Sequence, residues 1–242
     1  YYNAYGSLGW LEDLPPDRLD ALQVVAGDIR DPHFMARAMK GIEIVFHLAA
    51  LIAIPHSYRA PLSYVHTNAE GTVNVLEAAL QHGVRRFLHT STSEVYGTAQ
   101  YVPIDERHPL SAQSPYAASK VGADQLALSF QRSYGLPVVT LRPFNTYGPR
   151  QSARAVIPTI LSQLLDGHDE IHLGAPEPTR DFLFITDNAA GYLAAARAPD
   201  ADVVGETINL GTGREVSIGD LAHLCAELVR PSARIVLDSQ RL

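Results

Sequence analysis

Tyr116 and Lys120 stand four residues apart at the start of a segment with helical patterning, Tyr116-Ala117-Ala118-Ser119-Lys120. That spacing puts both side chains on one helix face. An ammonium beside a phenol favours the phenolate, which makes the phenol usable as a base at moderate pH. Upstream, Thr90-Ser91-Thr92-Ser93-Glu94-Val95-Tyr96-Gly97 closes a strand-like run, Arg86–His89. The Thr92 hydroxyl can hydrogen-bond to the substrate oxygen that Tyr116 deprotonates. Glu94 adds a carboxylate able to reach the neighbouring carbon. Together they describe a base that takes a proton from an alcohol while its carbon is oxidised.

A Tyr-x-x-x-Lys pair alone is a weak signal, because two common residues on a half-exposed helix satisfy it. The elements around it give it context. Leu22–Ala26, Ile42–Leu48, Arg86–His89, Val138–Leu141 and Thr207–Leu210 are short apolar runs, as expected of strands buried on both faces of a parallel sheet. Pro32–Lys40, Pro61–His82, Tyr116–Tyr134 and Asn188–Ala198 carry helical periodicity between them. Alternation of this kind predicts βαβ units and an α/β fold. Beyond Asn145 the spacing loosens. A helix over Ala155–Leu165, a strand over Ile171–Leu173, a helix over Ser217–Val229 and a strand-like Arg234–Asp238 lie among Pro- and Gly-rich loops.

The 242 residues are 46% hydrophobic and 19% charged, an ordinary composition for a folded domain with a lobe. A net charge of −7 argues against nucleic-acid binding. The ten histidines are scattered without ligand-like spacing, so no metal site is expected. No run is apolar enough to suggest a membrane span or targeting segment. Cys225, the single cysteine, falls in the apolar pattern Leu221, Leu224, Cys225, Leu228 and reads as a core residue, which suits a reducing cytoplasm.

Seven stretches in order carry a resemblance: Gly27–Asp31, Phe46–Ala50, Thr67–Thr72, the Ser-Thr-Ser-Glu turn, Tyr116–Lys120, Arg142–Arg150 and Thr179–Phe182. The chain resembles the extended short-chain dehydrogenase/reductase superfamily and its NAD-dependent epimerase/dehydratase family. Within it the likeness is to nucleotide-sugar 4,6-dehydratases, of the N-acetylglucosamine 4,6-dehydratase type found in legionaminic acid synthesis. The resemblance implies a Rossmann-like, doubly wound parallel sheet with a smaller C-terminal substrate lobe. It implies NAD-binding residues at 1–146 and 181–211, and substrate-lobe residues at 147–180 and 212–242. The family's first strand and glycine-rich turn have no counterpart here. Tyr1-Tyr2-Asn3 looks like the end of the second strand, and the lobe stops after Asp238. The expectation is therefore an internal piece that folds poorly alone.

Residue by residue, the resemblance implies Thr92, Glu94, Tyr116 and Lys120 as catalytic. It implies Asp28, Ile29, Leu48, Ala49, Ala50, Thr90, Tyr116, Lys120 and Pro143 around the cofactor, and Ser93, Asn145 and Arg180 toward the substrate. On sequence grounds Asp28 is equally a turn residue or an acceptor for an adenine amino group, and the resemblance favours the second. Small side chains at Ala49 and Ala50 let a cofactor approach the backbone. Arg180 suits a diphosphate, with a surface ion pair to Asp181 or Glu177 as the plain alternative. Arg150 and Arg154 are lesser candidates for the same charge, and Asn68 and Thr72 are read as structural. Many glucose dehydratases place an aspartate before this glutamate, whereas here Ser93 stands there, which leaves open the acid that protonates the leaving hydroxyl.

The implied activity is a 4,6-dehydratase acting on a nucleotide-diphosphate hexose. A UDP-glucuronate decarboxylase or a 4-epimerase are alternatives on the same site, and a non-catalytic cofactor-binding protein is a third. Val73, Val75, Leu76 and Leu80 on one helix, with Leu126, Leu128 and Phe130 on another, extend beyond one apolar stripe. That predicts a homodimer through a four-helix bundle.

Overall fold

In this computed structural model the structure describes residues 7–238. The expected strand end at Tyr1-Tyr2-Asn3 lies outside them. Helices, in chain order, are α1 Pro16–Leu19, α2 Pro32–Ala38, α3 Ile54–Ser57, α4 Pro61–Tyr64 and α5 Gly71–His82. They continue with α6 Pro115–Tyr134, α7 Val156–Leu165, α8 Ile185–Arg197, α9 Asp200–Val203 and α10 Ile218–Val229. The strands are β1 Ile44–His47, β2 Arg86–Thr90, β3 Val138–Pro143, β4 Asn145–Tyr147 and β5 Glu170–Leu173. After these come β6 Thr179–Arg180, β7 Phe182–Phe184, β8 Thr207–Leu210, β9 Val216–Ser217 and β10 Arg234–Leu237.

Two compact units divide the chain, and each has its own core. Among the described residues the first comprises 7–90, 112–140 and 200–206. There β1 runs parallel to β2, from Ile44 opposite Arg86 to His47 opposite His89. The start of β3 continues the sheet through Phe87 N–H to Pro137 O at 2.9 Å. Val75, Leu76 and Ala79 of α5 pack with Phe87, Ala127 and Val138 to form the core. Local sequence sets the ends of α6: Ser114 accepts from Ala117 N–H at 3.1 Å, Pro115 occupies the first turn, and Gly135 takes a left-handed φ of 70° beyond Tyr134.

Two features of this unit differ from the sequence expectation. Leu22–Ala26 is not a strand: no ladder pairs with it among the described residues, and Leu22, Val24 and Val25 are exposed. Its apolar run satisfies the strand pattern, but a strand exists only where a neighbour takes up its backbone groups. The predicted helix over Pro61–His82 is helical throughout, with Val65–Glu70 wound as a π-segment between α4 and α5. At its end sits Gly71, where any Cβ would lie 2.6 Å from Ile29 Cδ1, so glycine permits that close approach.

Among the described residues the second unit comprises 91–111, 141–199 and 207–238. The end of β3 lies along β8, with Phe144 N–H donating to Leu210 O at 2.9 Å. β4 pairs in parallel with β7, β5 in parallel with β10, and β6 antiparallel with β9. Its core joins Ile160 and Leu164 of α7, Ile171 and Leu173 of β5, and Leu221, Ala222, Cys225 and Ala226 of α10. Cys225 is a buried packing residue, and that burial raises its thiol pKa. Among the described residues no helix is long and apolar enough to cross a membrane.

Candidate active site

In the first unit, Tyr116, Lys120 and Asp124 succeed one another at four-residue intervals on α6. They are 7%, 3% and 3% exposed. Lys120 Nζ donates to Thr90 O, at the end of β2, at 2.6 Å. Burial pushes the Lys120 ammonium pKa down to about 8, and the Asp124 charge pulls it partly back up. His89, one residue before Thr90, lies 3.0 Å through Nε2 from Asp124 Oδ1. Since a carboxylate only accepts, the imidazole supplies that proton.

A second buried line fixes the backbone at Tyr116. Ser119 Oγ donates to Tyr116 O at 2.7 Å and accepts from Asn68 Nδ2 at 2.9 Å. The same Asn68 amide holds Leu51 through both backbone groups, N–H at 2.8 Å and C=O at 2.9 Å. It thereby ties down the turn Leu48–Ala50 that follows β1. Thr72 Oγ1 donates to Asn68 O at 2.6 Å, so it accepts from His47 Nε2 at 2.9 Å. His47 is neutral: burial first, then repulsion from His89 and Lys120, hold its pKa well below the usual imidazole value. The Tyr64 ring stands edge-on to Tyr116 at 6.3 Å.

Leu48 and Ala49 are exposed at the carboxyl end of β1, where open α/β sheets place their ligands. Small side chains and an accessible backbone there fit the flat face of a dinucleotide. Asp28 is engaged already: Arg30 donates to its carboxylate from the backbone at 2.9 Å and from Nε at 3.0 and 3.1 Å. The Arg30 side chain is the main cause of the lowered Asp28 pKa. Adenine recognition at Asp28 therefore requires the half-exposed Arg30 to move aside. Ile29 packs against Gly71.

In the second unit, Thr92 caps the short 3-10 helix Ser93–Tyr96 by accepting from Glu94 N–H at 3.2 Å, leaving its hydroxyl proton to donate elsewhere. Glu94, Asn145, Gln151 and Arg180 line a cavity of about 500 Å³. The Glu94 carboxylate has no hydrogen-bond partner among the described residues. Asn145 is set by its N–H to Asp181 O at 3.0 Å and by pairing with Phe182. Arg180 donates to Thr179 O at 2.8 Å, and no carboxylate among the described residues forms an ion pair with it. Asp181 is instead committed to the turn at Thr212-Gly213, accepting from both N–H groups and from Thr212 Oγ1 at 2.8 to 2.9 Å. This removes the plain Arg180–Asp181 pairing. Ser93 is half-buried beside Glu94, and Pro143 ends β3.

Sequence reasoning missed a polar cluster at the Glu94 turn. Arg142 Nη1 donates to Tyr96 OH at 2.9 Å, and Tyr96 OH donates to Asn209 Oδ1 at 2.7 Å. Tyr96 follows Glu94 by two residues, so the cluster anchors the turn that carries the acid. Arg142 and Tyr96 were both visible in quoted motifs; Asn209, 113 residues beyond Tyr96, carried no local signal. Among the described residues no three His, Cys, Asp or Glu are grouped to hold a metal.

Residues 11–211 match the model of the NAD dependent epimerase/dehydratase family. The chain is 38% identical over 218 residues to a dTDP-glucose 4,6-dehydratase of Actinoplanes sp., covering 90% of this chain and 67% of that protein. A solved dTDP-glucose 4,6-dehydratase from Streptomyces venezuelae, with NAD bound, superposes with a TM-score of 0.81 at 33% identity, over 93% of this chain and 71% of that one. A UDP-N-acetylglucosamine 4-epimerase from Methanobrevibacter ruminantium gives a TM-score of 0.86 at 29% identity, over 98% and 74%. The chain spans 57 to 67% of the length of four bacterial dTDP-glucose 4,6-dehydratases that it matches. On the match over residues 11–211 and these identities, the chain belongs to the NAD dependent epimerase/dehydratase family.

Proposed function

We propose that the protein is a nucleotide-sugar 4,6-dehydratase, acting on a nucleotide-diphosphate hexose of the N-acetylglucosamine type. The observation that carries this reading is the Glu94 carboxylate, unpartnered among the described residues, facing the same cavity as Asn145 and Arg180. A 4-epimerase has no use for an acid at this position, because it takes no proton from C5. A dehydratase needs one.

NAD is the fitting cofactor, with Leu48, Ala49, Ala50, Thr90, Tyr116, Lys120 and Pro143 around it and Asp28 and Ile29 toward its adenine end. When bound, NAD supplies a two-electron acceptor that is reduced as C4 is oxidised and reoxidised as C6 is reduced. Tyr116 takes the proton of the 4-hydroxyl, assisted by the Lys120 ammonium, and Thr92 donates to the same oxygen. The 4-keto group then acidifies C5, so a carboxylate is an adequate base there. Glu94 removes that proton, the 6-hydroxyl takes up a proton and leaves as water, and C5 regains a proton as C6 is reduced. Arg180 holds the diphosphate, with Ser93 and Asn145 on the sugar.

Residues 1–146 and 181–211 form the dinucleotide-binding part in this reading, and 147–180 with 212–242 the substrate lobe. The enzyme works as a cytoplasmic homodimer. Its helices leave Leu80 exposed and Leu128 half-buried, while Leu126 and Phe130 turn inward to the core.

The test is incubation of the full-length protein with UDP-N-acetylglucosamine and with UDP-glucuronate. A 4-keto-6-deoxy product from the first supports the proposal. Carbon dioxide from the second, or a C4-inverted sugar alone, replaces it with a decarboxylase or an epimerase.

A further inference from the structure

The catalytic reading uses Tyr116 and Lys120 and leaves the next residue on that helix face unexplained. Asp124 is 3% exposed one turn beyond Lys120, and His89, its partner at 3.0 Å, is wholly buried. Buried ion pairs add little net stability over apolar residues of the same shape, so stability alone is a poor reason for a carboxylate here. Lys120 supplies a better one. Its ammonium has three protons to place, and Thr90 O takes one. An ammonium with so little solvation tends to lose its proton, and a neutral amine no longer favours the Tyr116 phenolate.

We propose that Asp124, oriented by His89, is a positioning residue whose carboxylate keeps Lys120 in the ammonium form beside Tyr116. The inference rests on the Tyr116–Lys120 reading above. Its geometry is compact: His89 and Thr90, adjacent on β2, meet Asp124 and Lys120, adjacent turns of α6. The Asp124 charge acts on Lys120 in the required direction. The titratable groups grouped here are Tyr116 and Asp124 on α6, His89 on β2 and neutral His47 on β1. The helical segment 61–82 packed on α6 adds the Tyr64 phenol against Tyr116, and the uncharged Asn68 and Thr72.

Lys40 and Lys120 are the only lysines among these 242 residues, and the signal lost in Lys120→Arg assigns the Lys120 resonance in the full-length protein. In protein labelled at lysine 13Cε, Lys120 is followed from pH 6 to 11 by NMR, with exposed Lys40 as internal reference. Asp124→Asn is expected to lower the Lys120 midpoint by about one pH unit, and Asp124→Glu to restore most of it. In the full-length enzyme, the alkaline limb of kcat should move by the same amount. That means about tenfold less activity near pH 9 and little change near pH 6.5. A Lys120 midpoint and alkaline limb unmoved in Asp124→Asn overturn the proposal. If Asp124→Asn does not fold, the Asp124 13Cγ resonance of the wild type decides: a step at the Lys120 midpoint supports it, and no step overturns it. An active Tyr116→Phe enzyme would instead defeat the underlying reading, whatever Asp124 does.

Discussion

The two units solve different problems with polar side chains. In the first, Tyr116, Lys120, Ser119, Asn68, Thr72, His47, His89 and Asp124 are all buried, and hydrogen bonds of 2.6 to 3.0 Å run from Tyr116 O through Ser119, Asn68 and Thr72 to His47, pair His89 with Asp124, and tie Lys120 to Thr90 O. In the second, Glu94, Asn145 and Arg180 face an open cavity, and among the described residues the acid has no hydrogen-bond partner. A group that must hold a shifted pKa benefits from a fixed, water-poor setting. One that must receive varied substrate oxygens benefits from unspent hydrogen-bonding capacity. The contrast predicts that substitutions in the first unit change stability and turnover together, and those in the cavity change recognition or one chemical step while leaving the fold intact.

The largest expected effect is on turnover. Tyr116→Phe removes the proton acceptor, and kcat of the full-length enzyme should fall by about 10²- to 10⁴-fold. Product assays and nucleotide-sugar binding check this, with binding expected to persist. Retention of activity within tenfold of wild type would falsify the assignment.

Next comes Arg180→Ala, which removes a charge-assisted contact to the diphosphate. KM should rise by roughly 10- to 100-fold, equivalent to about 1.5–3 kcal/mol, with little change in thermal midpoint. A fall in thermal midpoint with unchanged KM would make Arg180 a structural residue and blur the contrast.

Asn68→Ala works the other way. It strips both Leu51 backbone groups and Ser119 of a buried partner, and should cost about 1–3 kcal/mol of unfolding free energy. Denaturant titration measures it.

A pH dependence probes the buried cluster in another way. Lys120 titrates near 8 in the folded state against 10.5 as an ordinary lysine. The unfolded chain therefore holds more protons between those values, and stability should rise with pH across that window. Below pH 8 the cost of the buried ammonium is present in full. The rise should be absent in Lys120→Met, measured as the difference between the two proteins' unfolding curves at each pH.

Much of this was legible in the sequence where the signal is local. Ser114-Pro115 and Gly135 bracket α6 at both ends, and the 116–120 spacing alone put Tyr116 and Lys120 on one face. β8 lies over Thr207–Leu210 as the apolar run indicated. What stayed hidden depends on distant partners. Phe182–Phe184 becomes a strand only because Asn145–Tyr147 lies beside it. Leu22–Ala26 reads as a strand although nothing described pairs with it. The His89–Asp124 and Asn68–Leu51 bonds join residues 35 and 17 apart in sequence. No spacing rule announces such pairs, because tertiary packing chooses them.

The central claim, that Glu94 is the C5 base of a dehydratase, is tested most directly by hydrogen exchange in Glu94→Gln. The isostere keeps the shape of the side chain and cannot accept the proton. With the full-length variant and nucleotide sugar in deuterated water, little deuterium should enter C5 and little dehydrated product should form, while the variant folds and binds substrate as wild type does. Deuterium entering C5 at the wild-type rate would contradict the account, because some other group would then be the base.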